Sequence, residues 1–212
     1  MLFYRIVWWT VAKGSGALYR VRIVGKERLP RSGGYVLAPS HRSMMEITLL
    51  ALVTKDRIRY MGKAEVFKIP VLSSIFRALG GFPVARDGTD RKAVRDSMAM
   101  LQAGDRLAIF PEGTRQHGPK IQPLQPGAAY LALRANVPIV PVGMAGTEEI
   151  MRSEGRLPRF GRVVIVVGEP LTPPPRTTSA VPRAEVDAFT AQLAEALQRA
   201  FDEALELRNG AG

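Results

Sequence analysis

Apolar and polar positions fall into two alternating rhythms along the chain, one suited to strands and one to helices. Tyr19-Arg20-Val21-Arg22-Ile23-Val24 alternates polar with apolar residues and predicts an outer strand with one wet face. Tyr35-Val36-Leu37-Ala38, entered from Gly33-Gly34, is apolar throughout, as a strand covered on both faces would be. Arg57 to Met61 alternates again, and Phe82-Pro83-Val84, Arg106 to Phe110, Val137 to Val142 and Val163 to Val167 read as further strands. Between them lie helical stretches: Ile47 to Val53, Pro70 to Leu79 ended by Gly80-Gly81, and Asp90 to Ala103 with Val94, Met98 and Leu101 in phase. Another runs from Pro126 to Ala135 and closes near Asn136. After the proline-rich Thr172 to Ser179, a stripe of Val186, Phe189, Leu193, Leu197, Phe201 and Leu205 predicts one long helix.

Strands that alternate with helices imply an α/β fold. The expected form is a single domain with a mixed, mostly parallel sheet of about seven strands flanked by helices. The pattern divides the chain into an N-terminal interfacial segment at 1–18, a central domain at 19–175, and a connector with its helix at 176–212. No repeat interrupts it.

Composition narrows the classes of function. With no cysteine, the chain has no disulfide, thiolate zinc site or cysteine nucleophile. The net charge is +11, and it is concentrated: residues 1–176 carry 27 basic against 13 acidic side chains, residues 177–212 only 3 against 6. Such a surplus predicts an anionic partner. Nucleic acid is not favoured, because no nucleic-acid motif is present and the aromatic residues are not interleaved with the basic ones. Met1 to Val11 (MLFYRIVWWTV) is too short to span a bilayer, which takes about 20 apolar residues. Its Phe3, Tyr4, Trp8 and Trp9 beside Arg5 and Lys13 suit the headgroup boundary of a membrane, and suit equally a helix packed on its own domain.

The chemistry centres on Pro39-Ser40-His41-Arg42-Ser43-Met44-Met45-Glu46. Here a histidine and a carboxylate stand five residues apart where a strand hands over to a helix, a place from which α/β folds expose reactive groups. Imidazole is a competent base near neutrality, and a carboxylate can orient it and stabilise its cation. Ser43-x-x-Glu46 also has the form of a capping box, in which both side chains would serve helix amides instead.

Three later stretches bear on the choice. Gly80-Gly81-Phe82-Pro83-Val84-Ala85-Arg86 ends a strand in an arginine, and Phe110-Pro111-Glu112-Gly113-Thr114-Arg115 ends another in a turn. Val137-Pro138-Ile139-Val140-Pro141-Val142 is a stiff apolar strand. Arginine's planar fork matches the oxygens of a phosphate, so Arg86, Thr114 and Arg115 at strand ends would form an anion cradle. In this order the blocks resemble the glycerolipid acyltransferases of the 1-acylglycerol-3-phosphate type. Those share His-x4-Asp, Gly-x5-Arg, Phe-Pro-Glu-Gly-Thr-Arg and Val-Pro-Ile-x-Pro, and the likeness runs from about Gly25 to Pro170. Two positions depart from the pattern: Glu46 stands for the family aspartate and Ser40 for an asparagine.

The resemblance implies an enzyme that moves a fatty acyl group from acyl-CoA or acyl carrier protein to the free hydroxyl of lysophosphatidic acid, giving phosphatidic acid. It implies His41 as general base with Glu46 behind it, and no bound metal or cofactor. Arg86, Glu112, Gly113, Thr114 and Arg115 would hold the acceptor's phosphate and glycerol, with Glu112 on glycerol hydroxyls or orienting an arginine. Met44, Met45 and Phe76, with Ile69, Val71 and Leu72, are apolar residues available for an acyl groove. Backbone amides near His41 or Gly143 are candidate oxyanion donors. The expected location is cytoplasmic, on the inner face of the cell membrane and attached to its anionic surface. Acylation of glycerol 3-phosphate or another lipid alcohol, or anionic-lipid binding without catalysis, are the alternatives.

Overall fold

The unbroken apolar run at 35–39 becomes a strand with every residue buried, and the sheet is built outward from it. The structure is a computed structural model that describes residues 14–63, 81–84, 91–151, 159–175 and 180–210. Its strands are β1 (Arg22–Val24), β2 (Tyr35–Pro39), β3 (Ile58–Lys63), β4 (Gly81–Val84), β5 (Arg106–Ala108), β6 (Ile139–Ala145) and β7 (Val164–Val167). They form one seven-stranded sheet in the order β1-β7-β6-β2-β5-β3-β4. From β6 to β4 neighbouring strands are parallel, β7 is antiparallel to β6, and β1 is parallel to β7. The carboxyl ends of β2, β5 and β6 therefore share an edge with the starts of β7 and β1.

The described helices are α1 (Gly14–Leu18), α2 (Glu46–Leu50), α3 (Arg91–Gln102), α4 (Gly127–Ala135), α5 (Thr147–Ile150) and α6 (Arg183–Asn209). Successive side chains of a strand point to opposite faces, so Tyr35 and Leu37 belong to one core and Val36 and Ala38 to another. Leu49 and Leu50 of α2 close the first core, each worth about 1.5–3 kcal/mol relative to exposure. Leu101 of α3, Leu131 and Leu133 of α4, and Phe189 and Leu193 of α6 fill the second. Farther along α6, Ala200, Phe201 and Ala204 cover Ala145, Val164 and Val166.

The approach of α6 to the sheet depends on Gly143. A Cβ there would lie 2.2 Å from the backbone oxygen of Ala200, so this position serves helix-to-sheet packing. Gly143→Ala is expected to push α6 outward and cost about 1–3 kcal/mol, as overpacking does, read as a lowered midpoint in urea unfolding.

Element limits differ from the sequence pattern where tertiary contacts intervene. The alternating run at 19–24 yields a strand only from Arg22, because Arg20 adopts φ 42° and turns the chain. Beyond its expected end at Val142, β6 continues to Ala145 by pairing with β7. Pro141 is tolerated inside β6 because β7 stops opposite Val142, and there only Gly168 donates, to the Pro141 carbonyl. Asn136 caps α4 in the left-handed region, where the sequence pattern places its end. The N-terminal aromatic stretch at 1–13 and the helix expected at Pro70 to Leu79 lie outside the described residues.

Candidate active site

At the carboxyl end of β2 the ladder continues for one residue, as the Ser40 amide donates to the Val142 carbonyl and Ser40 Oγ accepts from the Met144 amide. His41 is the first residue past the sheet. Its Nδ1 lies 2.9 Å from Glu46 Oε2, with the carboxylate side chain fully buried and the imidazole 13% exposed. An ionised carboxylate only accepts, so the proton is assigned to Nδ1 and Nε2 carries the lone pair. The Arg42 amide reaches both oxygens of Glu46 at 2.9 Å, and Thr147 Oγ1 donates to Oε1 at 2.6 Å. Phe110 backs the imidazole, with ring centroids 4.1 Å apart.

This arrangement decides against the capping box. The residue before α2 is Met45, with no side-chain cap bond, and Ser43 Oγ accepts from the Met45 amide at 3.3 Å. Glu46 turns away from its own helix towards His41. The amides of Glu46, Ile47, Thr48 and Leu49 already donate to the Ser43, Met44 and Met45 carbonyls, so the first turn leaves no amide for a carboxylate cap, whereas three donors converge on Glu46 from the other side.

A second carboxylate ties the loop after β5 to the same turn. Glu112 accepts from the His41 amide (2.9 Å), the Gln122 amide (3.1 Å) and Arg42 Nη1 (2.9 and 2.8 Å to its two oxygens). Arg42 also donates from Nε to Gly118 (3.0 Å) and from Nη2 to Lys120 (2.9 Å), and its guanidinium lies 4.9 Å from the Phe201 ring centroid. Both side chains are buried, at 1% and 0% exposure. The Gln116 amide donates to the His41 carbonyl at 2.8 Å, so the turn and the loop are stitched from both sides.

Of the remaining residues singled out by sequence, Gly113 and Thr114 are exposed on the loop that Glu112 begins, and Arg115 is half-buried. Met44 and Met45 are half-buried beside the turn, with Met45 packed on the α2 core. Arg86, Phe76, Ile69, Val71 and Leu72 lie outside the described residues. The sequence pattern does not mark Arg42, Thr147 or Phe110. Arg42 and Phe110 lie inside the motif blocks yet have their partners elsewhere in the chain, and Thr147 follows the last block by five residues.

The chain that carries this His–Glu pair and the Phe-Pro-Glu-Gly-Thr-Arg loop is similar to known proteins. The sequence model of the acyltransferase family matches residues 20–145. The chain belongs to that family. The acyltransferase is 30% identical over 152 residues to the 1-acyl-sn-glycerol-3-phosphate acyltransferase of Bacillus subtilis, covering 71% of this chain and 73% of that one. It is 31% identical over 159 residues to a chloroplastic 1-acyl-sn-glycerol-3-phosphate acyltransferase of Brassica napus, but spans only 45% of that longer protein. With the crystal structure of the 1-acyl-sn-glycerophosphate acyltransferase from Thermotoga maritima it shares the fold. The TM-score is 0.73 at 23% identity, covering 94% of this chain and 78% of that one. The acyltransferase is thus an enzyme of the 1-acylglycerol-3-phosphate acyltransferase type. No described helix is long and apolar enough to cross a membrane.

Proposed function

We propose that the enzyme transfers a fatty acyl group from an acyl thioester, on coenzyme A or acyl carrier protein, to the free hydroxyl of lysophosphatidic acid, yielding phosphatidic acid. The observation that carries this reading is the 2.9 Å contact between His41 Nδ1 and buried Glu46, which leaves Nε2 as an acceptor nitrogen. Nε2 takes the proton as the acceptor oxygen attacks the thioester carbonyl, and the tetrahedral intermediate expels the thiolate, which recovers that proton. Glu46 holds the tautomer and stabilises the imidazolium. Ser43 is buried with its Oγ bonded to the Met45 amide, which favours direct transfer over an acyl-enzyme.

Arg86, Thr114 and Arg115, with the Gly113 backbone, are assigned to the acceptor's phosphate and glycerol. The carboxyl end of β4, just before Arg86, lies three strands from that of β2, roughly 14 Å at normal strand spacing. Glu112 is assigned to holding Arg42 and the His41 amide, since both its oxygens already accept from the protein. Met44, Met45 and Phe76 are assigned to the acyl groove, and residues 1–18 to the membrane interface. Leu18 (47% exposed) and Phe160 (84%) support an interfacial edge, because β1 and β7 start at the sheet end that bears His41.

Acyl transfer from oleoyl-CoA to lysophosphatidic acid in phosphatidylglycerol vesicles is expected to exceed transfer to glycerol 3-phosphate at least about tenfold in kcat/KM, and to fall in neutral vesicles. Preference for glycerol 3-phosphate would move the assignment to the preceding acylation, and indifference to vesicle charge would remove the membrane role.

A further inference from the structure

The geometry points to Thr147 as a positioning residue for the His41–Glu46 pair, a role that rests on His41 acting as the base. Thr147 is fully buried and opens α5, and its Oγ1 donates to Glu46 Oε1 at 2.6 Å across 101 residues of sequence. Its place is set by the end of β6. Gly146 turns the chain at φ 90°, where a Cβ would lie 2.2 Å from the Arg162 carbonyl oxygen, so only glycine delivers the hydroxyl to this spot.

The need for such a contact follows from the residue at 46. Glutamate carries one more rotatable bond than the aspartate of the related pattern, so its carboxylate has more freedom to lose when held against a ring. The Arg42 amide lies equally close to both oxygens, near the axis of the carboxylate's last bond, and so does not by itself fix rotation about that bond. Thr147 fixes it. Its proton holds one oxygen, Oε1, which keeps the other, Oε2, directed at Nδ1. A group that fixes the carboxylate also fixes the imidazole tautomer at one remove, and so keeps Nε2 available as the proton acceptor.

The test compares Thr147→Ser with Thr147→Ala in the full chain. Both lose the same methyl group, so their difference isolates the hydroxyl. Thr147→Ala is expected to lower kcat for acyl transfer to lysophosphatidic acid about tenfold with KM for the acceptor little changed, and Thr147→Ser to stay within about threefold of wild type. Should Thr147→Ala not fold, Thr147→Val keeps the volume, lacks the hydroxyl and carries the same expectation.

A second readout needs no turnover. The chain has two histidines, so long-range 1H–15N spectra recorded in a His117→Ala background report His41 alone. Wild type and Thr147→Ser should show the Nδ1–H tautomer, and Thr147→Ala a shift towards a mixture. Equal kcat and equal tautomer signals in the serine and alanine variants would overturn the proposal, even if both were less stable. A wild-type enzyme inactive on every acceptor would sink the functional reading, while the tautomer comparison would still decide the role of Thr147.

Discussion

His41→Ala is expected to reduce kcat/KM for acyl transfer to lysophosphatidic acid by about 10²–10⁴-fold, the range a positioned general base supplies. The variant should fold, because the imidazole stands at the sheet edge and its loss leaves Glu46 with the Arg42 amide and Thr147 hydroxyl as donors. Circular dichroism and the unfolding midpoint should stay near those of wild type, which separates lost chemistry from lost structure. His41→Gln is the sharper control. It keeps a hydrogen-bonding side chain beside Glu46 yet offers no basic nitrogen, so it should be as inactive as alanine. Acceptor binding, which we propose rests on the loop after β5, should survive both changes, leaving the effect mainly in kcat. Retention of more than about a tenth of the activity in His41→Ala would rule out the histidine as base.

What the sequence makes legible follows from how local each cause is. The buried run at β2, the Asn136 end of α4 and the stripe of α6 rest on contacts repeated within a few residues, so periodicity alone shows them. His41 and Glu46 lie within one turn and have a recognisable spacing. Arg42 and Thr147 do not. Arg42 reaches Glu112 over 70 residues and Phe201 over still more, and Thr147 reaches Glu46 over 101. No local pattern distinguishes either from an ordinary arginine or threonine. Ser43 shows the reverse case: its spacing to Glu46 imitates a cap, but the sheet edge draws the carboxylate inward and leaves the serine to the Met45 amide.

Arg42→Ala and Glu112→Ala are each expected to cost about 3–5 kcal/mol of folding stability, the penalty for stranding one member of a buried ion pair. For a chain of this size that corresponds to a fall of roughly 6–20 °C in Tm. The pair is enclosed, with side chains 1% and 0% exposed, so neither charge can recover hydration when its partner is removed. Arg42 also donates to three carbonyls, of His41, Gly118 and Lys120, which lysine's single ammonium could not reach together. Arg42→Lys should therefore recover only part of the loss. The change Arg42→Met with Glu112→Leu should cost less than the sum of the single alanine variants, because it strands no charge, though the His41 and Gln122 amides would lose their acceptor. The same contacts hold the His41 main chain, so a folded Glu112→Gln enzyme should lose kcat more than its stability suggests: its amide has one carbonyl oxygen to offer where the carboxylate serves Arg42 and two amides. Additive single and double variants, or an unchanged Tm in Arg42→Ala, would mean that the loop after β5 is held by its other contacts, Gln116 to His41, Gln125 to Pro111, Gly118 to Glu148 and Ile121 to Gln198.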